Sequence, residues 1–434
     1  MTKKNLILFA LSLVLILALR FLFVFSQKSG VLLKEGDLVS FQTTVLQEPK
    51  VSGNVQIFTA DTGNRKIMVF APVFPQFHYG DRLRIAGKVQ PEKIIGKQGI
   101  LLPINLQDQK FITYFPKIEA VKINETSITG LAGGFLAVIS VIRQNLISSF
   151  SQVLPPTSSA LLLGIVFGIK DSMPGGFLQQ LKISGVMHVI AASGMNVTMV
   201  AGFFSSVTVL FFKRRTALVI SILIILFYAA LAGFQASIIR ASIMGIMVFS
   251  AQILGRQTIA SYSLFLTGFI MLFINPTQIT DIGFQLSFLS TAGLLYLQPL
   301  FTKFQFFEKT IIGDSLITTV CAQISTLPIM ILNFGTYSIW SVAVNALVLW
   351  TIPPLMVLGG FGAIISFVFL PLGKIFLLLS LPFLIYFEKV VVFFSGLPGL
   401  INIQSLPWQL AVGYYLFLLS FFLFLKKKEA ALEK

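Results

Sequence analysis

Between Arg215 and Arg240 the chain reads TALVISILIILFYAALAGFQASII, twenty-four residues without a charge. A helix needs about 20 apolar residues to cross roughly 30 Å of hydrocarbon, and several further runs of this kind follow. Of the 434 residues, 56% are hydrophobic and 11% charged, which excludes a soluble globule. A membrane β-barrel would alternate apolar and polar residues, and these runs do not. The prediction is a polytopic α-helical membrane protein.

Candidate helices fall at residues 188–212, 216–233, 235–254, 258–274, 281–301, 311–333, 340–370, 375–397 and 409–425. Residues 1–25, MTKKNLILFALSLVLILALRFLFVF, have a basic start and no small-residue cleavage site after them, so they read as an uncleaved signal anchor. Basic groups mark alternate ends of the helices: Lys213, Arg214 and Arg215; Arg256; Lys303 and Lys309; Lys374; Lys426, Lys427 and Lys428. The opposite loops, such as NPTQITD and LNFGTYS, carry none. The positive-inside rule then predicts about ten crossings with both termini cytoplasmic, residues 426–434 forming a basic cytoplasmic tail. The 340–370 stretch is too long for one span and holds Pro353 and Pro354, which predicts a broken or re-entrant helix.

Residues 26–130 are polar and alternate like strands, as in DLVSFQTTV, VQIFTAD, NRKIMVFAPV and DRLRIAGKV, with turn signals between them. About five short strands in a domain of this size suggest an extracytoplasmic OB-like β-barrel, and a sandwich reads the same way. Thirteen Lys and Arg face nine Asp and Glu there. Phe70, Phe74, Phe77, His78 and Tyr79 lie among Arg65, Lys66, Arg82 and Arg84, the aromatic and basic mixture that stacks bases and contacts phosphates of a single strand. A core-plus-surface explanation serves the same residues. Residues 131–187 contain amphipathic and short apolar stretches, predicting interfacial or re-entrant helices ahead of a channel-like domain over 188–425.

Polar groups inside the apolar runs carry the chemistry. Arg240 lies mid-helix, where an isolated arginine costs roughly 2.5–3.5 kcal/mol to insert, so it faces protein, water or an anion. A structural pair with Asp281 is one reading and a lumenal position the other. Asp281 and Gln285 share a helical face, and Ser237, Ala241 and Gly245 form a small-residue ridge for close helix packing. The stretch HVIAASGMNV offers His188, Ser193, Gly194 and Asn196 at the start of a span. A serine hydrolase built on Ser193 would need His188 as base, but five residues along one helix turn them roughly 140° apart. With only His78 and His188 in the chain, a His-rich dinuclear site cannot be assembled, and neither a Walker A sequence nor a dinucleotide fingerprint occurs. No cofactor or metal is implied, and Cys321 has no partner in the chain for a disulfide. A secondary transporter of a small anion, with Arg240 as counter-ion, is the competing non-enzymatic reading.

Several motifs in order, LLLGIVFGIKDSMPGGFLQQLKISGVMHVIAASGMNVTMVAG, IIRASIMGIMVFSAQILGRQTI, NPTQITDIGFQLSFLSTAGLL and QISTLPIMILNFGTYSIWSVAVNALVLWTIPP, resemble the competence domain of the ComEC family of DNA-uptake channels. YGDRLRIAGKV is similar to the β domain that precedes it in that family. The resemblance implies a channel passing single-stranded DNA through the cytoplasmic membrane in natural transformation. It falls residue by residue on His188, Ser193, Gly194, Arg240, Gly255, Arg256, Asp281, Gly283, Gln285 and Asn345. Where the family's Ser-Gly motif is usually followed by a hydrophobic residue and histidine, Met195 and Asn196 stand here. Arg143, Lys170, Lys182 and Arg240 could supply positive potential along such a route. The metallo-β-lactamase-like domain of many members has no counterpart after LKKKEAALEK. The implied partners are single-stranded DNA, membrane lipid, and separate receptor, nuclease and motor or strand-capturing proteins.

Overall fold

The computed structural model describes residues 12–22, 38–45, 49–52, 55–61, 66–77, 81–91, 111–114, 116–120, 128–170, 172–190, 193–303, 311–403 and 407–432. They form two compact units, one of residues 22–148 and one of residues 1–21 with 149–434.

In the first unit the strands are β1 (Leu38–Thr44), β2 (Lys50–Ser52), β3 (Val55–Asp61), β4 (Lys66–Pro72), β5 (Arg82–Pro91), β6 (Phe111–Tyr114) and β7 (Lys117–Ala120). The sheet runs β1-β5-β6-β4-β3-β2, with β7 also on β5. Among the described residues this is an open path, without the closure of a barrel. Four of the predicted strands appear within a few residues of their expected bounds; β2, β6 and β7 were too short to register. Period-2 alternation turns Phe58, Ala60, Val69, Ala71, Leu83 and Ile85 into one core. Phe77 joins it, 8% exposed and edge-on to Phe58 at 5.9 Å. Gln56 fixes that placement from below: its buried amide Nε2 donates to Pro72 O and Pro75 O, each at 2.6 Å, and its Oε1 accepts from Phe77 N at 3.1 Å. Phe77, expected among the base-stacking aromatics, is therefore a core residue, because the loop after β4 folds inward over a satisfied amide.

The remaining elements are helical. After α1 (Ser12–Leu22) come α2 (Ile128–Ser151), α3 (Pro156–Phe167), α4 (Gly175–Ile183), α5 (Gly194–Phe211), α6 (Arg214–Leu231), α7 (Ala236–Ile253), α8 (Ala260–Ile274), α9 (Ile282–Tyr296), α10 (Gln298–Lys303) and α11 (Ile311–Phe334). A short two-stranded antiparallel sheet of β8 (Thr336–Ser338) and β9 (Leu400–Asn402) brackets α12 (Ser341–Val348), α13 (Ile352–Val368) and α14 (Leu370–Ser395), and α15 (Trp408–Leu432) follows. Among the described residues six helical segments are long and apolar enough to cross a membrane, and α8 and α15 add shorter apolar helices. The protein is a mostly helical membrane protein. Within 340–370 the chain breaks into α12, a 3-10 turn over Leu349–Thr351, and α13, with Pro353 and Pro354 in the first turn of α13. Proline is tolerated there because those amides have no intrahelical acceptor.

Helix α3 lies in the stretch expected to hold interfacial or re-entrant helices, and it is enclosed by protein. Every residue from Ser158 to Phe167 is buried, so this apolar dodecamer is an interior strut. Its exit is tight: Gly168 takes φ 69°, the left-handed conformation that suits glycine. A Cβ on Gly359 of α13 would stand 2.8 Å from Val166 Cγ2, so the glycine brings the α13 backbone directly onto α3.

Pro328 interrupts α11 and removes the amide that would bond Ile324 O. The gap is filled from α15: Tyr414 Oη donates to Ile324 O at 2.9 Å and Tyr415 Oη to Ser325 O at 3.1 Å. Tyr414→Phe leaves that carbonyl bare in an apolar setting, where an unmet group costs about 1–3 kcal/mol. We expect a lower unfolding temperature for the full chain in detergent, whereas Tyr262→Phe, a partly exposed ring on α8, leaves it unchanged.

Candidate functional site

The stretch predicted to open a span does so in two steps. Met187–Val189 form a 3-10 turn carrying an exposed His188, and α5 starts afresh at Gly194. Ser193 occupies the N-cap position, yet its hydroxyl accepts no bond from a backbone amide of the first turn of α5. It donates to Asn196 Oδ1 at 3.1 Å. Asn196 is 2% exposed, and its Nδ2 donates to Ile165 O at 2.6 Å. Tyr228 Oη in turn donates to Val166 O at 2.8 Å, and Gln235 Nε2 to Gly168 O at 3.3 Å.

These bonds have one physical origin. The last carbonyls of a helix have no intrahelical donor, and α3 ends inside protein where water cannot serve them. Side chains from α5, α6 and the α6–α7 turn do so instead. The Ser193 hydroxyl hydrogen is spent on an amide oxygen, which leaves no base at the serine and does not support a hydrolase. Asn196→Ala removes the donor from a buried carbonyl and should destabilise the folded protein by about 2 kcal/mol; thermal unfolding in detergent beside Asn196→Asp, which keeps an acceptor for Ser193 but removes the donor, is the check.

Arg240 stands next to this network. It is 8% exposed on α7, and Nη1 donates to Ser287 O of α9 at 3.0 Å. The same carbonyl accepts from Ser290 Oγ at 3.1 Å and Thr291 Oγ1 at 2.9 Å. Nε has no partner. A Cβ built on Gly194 would lie 2.7 Å from Arg240 Nη2 and 3.5 Å from Ala241 Cβ, so the glycine leaves room for the guanidinium. The small-residue ridge packs as expected, Gly245 lying within 3.3 Å of Ile225 measured from its Cβ position. The pairing of Arg240 with Asp281 does not form. Asp281 is exposed and caps its own helix, Oδ1 accepting from Phe284 N at 2.8 Å, while Gln285 Nε2 donates to Ile279 O at 2.8 Å. Among the described residues no carboxylate forms an ion pair with Arg240; the pair found is Lys117–Glu119.

The other predicted residues scatter. Asn345 on α12 is 1% exposed with both amide atoms unpartnered. Gly255 takes φ 67° in the turn after α7, and Arg256 beside it is exposed. Gly283 sits over Asp281 Oδ1. Lys182 is exposed at the end of α4, and Arg143 is buried on α2. In the β unit Arg84 is exposed and Arg82 half-buried; Lys66 opens β4, and Arg65 and Tyr79 lie outside the described residues. An aromatic pair faces outward, Phe70 from the expected set and Tyr114 from outside it: they are in register on β4 and β6, their rings 4.9 Å apart. Tyr228 was also missed, although a lone phenol inside an apolar run is the signal that could have found it.

The sequence model of the family described as "Competence protein" matches residues 165–428. The chain belongs to the competence protein family. The matched residues include α5, α7 and α9, the three helices that meet at Arg240. ComE operon protein 3 of Bacillus subtilis (strain 168) is 28% identical over 207 residues, covering 48% of this chain and 26% of that relative. The chain thus spans about a quarter of the relative's length. No solved structure matches.

Proposed function

We propose that this protein conducts a single DNA strand through the cytoplasmic membrane during competence, as a channel and not an enzyme. The observation that carries the reading is a buried guanidinium at the meeting of three helices in the competence-family part of the chain, held by a backbone carbonyl and a glycine and by no carboxylate. An arginine in an apolar bundle pairs with an acid or with backbone carbonyls, and a carbonyl tether leaves its charge uncompensated for the phosphates of a passing polyanion. In this reading there are about ten spans, both termini are cytoplasmic, and the β unit is an OB-like domain outside the membrane. The outward Phe70–Tyr114 pair supplies a sequence-neutral stacking platform, and exposed Arg84 and Lys88 supply phosphate contacts. A receptor and a motor or strand-capturing protein are its partners, and a nuclease acts on the other strand.

The test uses the full chain in lipid vesicles, with labelled single-stranded DNA outside and a nuclease inside. Internal degradation of the label that rises with protein and is absent from empty vesicles is the expected result; none, beside robust exchange of a small anion, sinks the reading. Binding of the strand to the protein in detergent should weaken as salt rises, because it releases condensed counterions. Binding indifferent to salt contradicts a phosphate-contact mechanism.

A further inference from the structure

A polar cluster around α12 takes no part in the reading above. Gln323 of α11, Tyr337 of β8 and Ser341 of α12 close a ring of hydrogen bonds. Gln323 Nε2 donates to Ser341 Oγ at 3.1 Å, Ser341 Oγ to Tyr337 Oη at 3.5 Å, and Tyr337 Oη to Gln323 Oε1 at 2.9 Å. The ring spends both hydroxyl hydrogens on its own members. Gly185, at φ 78° in the turn after α4, closes over it: a Cβ there would stand 2.5 Å from Ser341 Cβ and 3.2 Å from Ser338 Cβ. Ser338 and Ser341 are therefore neighbours, and Asn345 follows Ser341 by one turn on the same face of α12.

Among the described residues, neither Ser338 Oγ nor either amide atom of Asn345 has a hydrogen-bond partner, and both side chains are more than nine-tenths buried. Enclosing an amide with neither its donor nor its acceptor met is costly, and such groups are nearly always paired with protein or with water. The unmet needs are of both kinds. A cation would serve Asn345 Oδ1 and leave Nδ2 bare, and an anion would do the reverse. Water donates and accepts, and a row of hydroxyl and amide groups supplies the roughly two to four partners that a buried water requires. The backbone argues the same way. Helix α12 has eight residues, about 12 Å, and gives way to the 3-10 turn before α13. At membrane depth a broken helix is tolerated where it is buried in protein or lines a water-filled cavity.

We propose that Ser338, Ser341 and Asn345 line an internal water-binding site, entered past the half-buried Gln323 and Tyr337, that hydrates the approach to the break between α12 and α13. The closed ring holds the rim of the site, and Ser338 and Asn345 are the groups that the water serves. The site does not depend on the conduit reading.

The test is a double-mutant cycle on the full chain in detergent, with Ser338→Ala, Asn345→Leu and the two combined, read as unfolding temperature. In a dry interior each substitution removes an orphaned polar group, and leucine nearly matches asparagine in size, so both variants would unfold at a higher temperature than the parent. In a wet interior each strips a partner from bound water. We expect each single variant to unfold about 2 °C below the parent. The double variant should unfold no lower than the worse of the two singles, because a shared water is lost once. A rise in either single variant overturns the site, as do two losses that add in full. Should Asn345→Leu fail to fold, Ser338→Ala decides alone: a fall supports the water, and a rise or no change overturns it.

Discussion

Arg240→Ala should cut uptake of single-stranded DNA into vesicles about ten- to hundredfold while the protein still folds. The size follows from losing one charge-assisted hydrogen bond to the cargo, worth roughly 1.5–3 kcal/mol, where about 1.4 kcal/mol is tenfold. The fold survives because Ser287 O keeps its bonds from Ser290 and Thr291, so no acceptor is orphaned. Deleting a buried cation that lacks an acid also removes a desolvation cost. Unfolding temperature and vesicle uptake measured on the same preparation separate the two effects. Uptake at the parent rate takes Arg240 off the route, and a collapsed unfolding temperature makes it a structural residue.

Gly293→Val should have the largest effect on stability. Gly293 is the closest approach of α9 to α11: a Cβ there would overlap Ser325 Oγ and stand 2.8 Å from Cys321 O. A serine rotamer can move, but the carbonyl belongs to the α11 backbone and is fixed by its helix. The helices must therefore separate, exposing the packing of Cys321 with Leu297 and Ile317. A loss of about 3 kcal/mol or more is expected, at the upper end for overpacked cores. Gly202→Val on α5, with open space at its Cβ, is the control and should be neutral. Equal unfolding temperatures for the two variants would contradict the packing described.

Much of the helical layout was legible because a charge-free run of 20 residues has few alternatives, and the proline break near 353 was legible because the missing amide is a local property. What escaped depends on partners distant in sequence. Asn196 reads as a polar residue at a route's mouth until its amide is found on a carbonyl 31 positions earlier. The apolar stretch of α3 reads as too short to span, and only packing reveals that protein surrounds it on all sides. Arg240 stood out as anomalous, but its expected partner Asp281 serves the first turn of α9. Phe77 and Tyr114 exchanged roles for a similar reason: β6 joins β4 in parallel from 40 residues away, and no short-range pattern announces that.

The satisfied end of α3 also sets which parts can move. Asn196, Tyr228 and Gln235 bind α5, α6 and the approach to α7 to one buried terminus. Those helices are held together, since displacing any of them strips a donor from a carbonyl that water cannot reach. Helix α9 meets Arg240 through one carbonyl that already has two other donors. That single link can break without orphaning an acceptor, so the tie between α7 and α9 at Arg240 is weaker than the ties that gather α5, α6 and the approach to α7 around the end of α3.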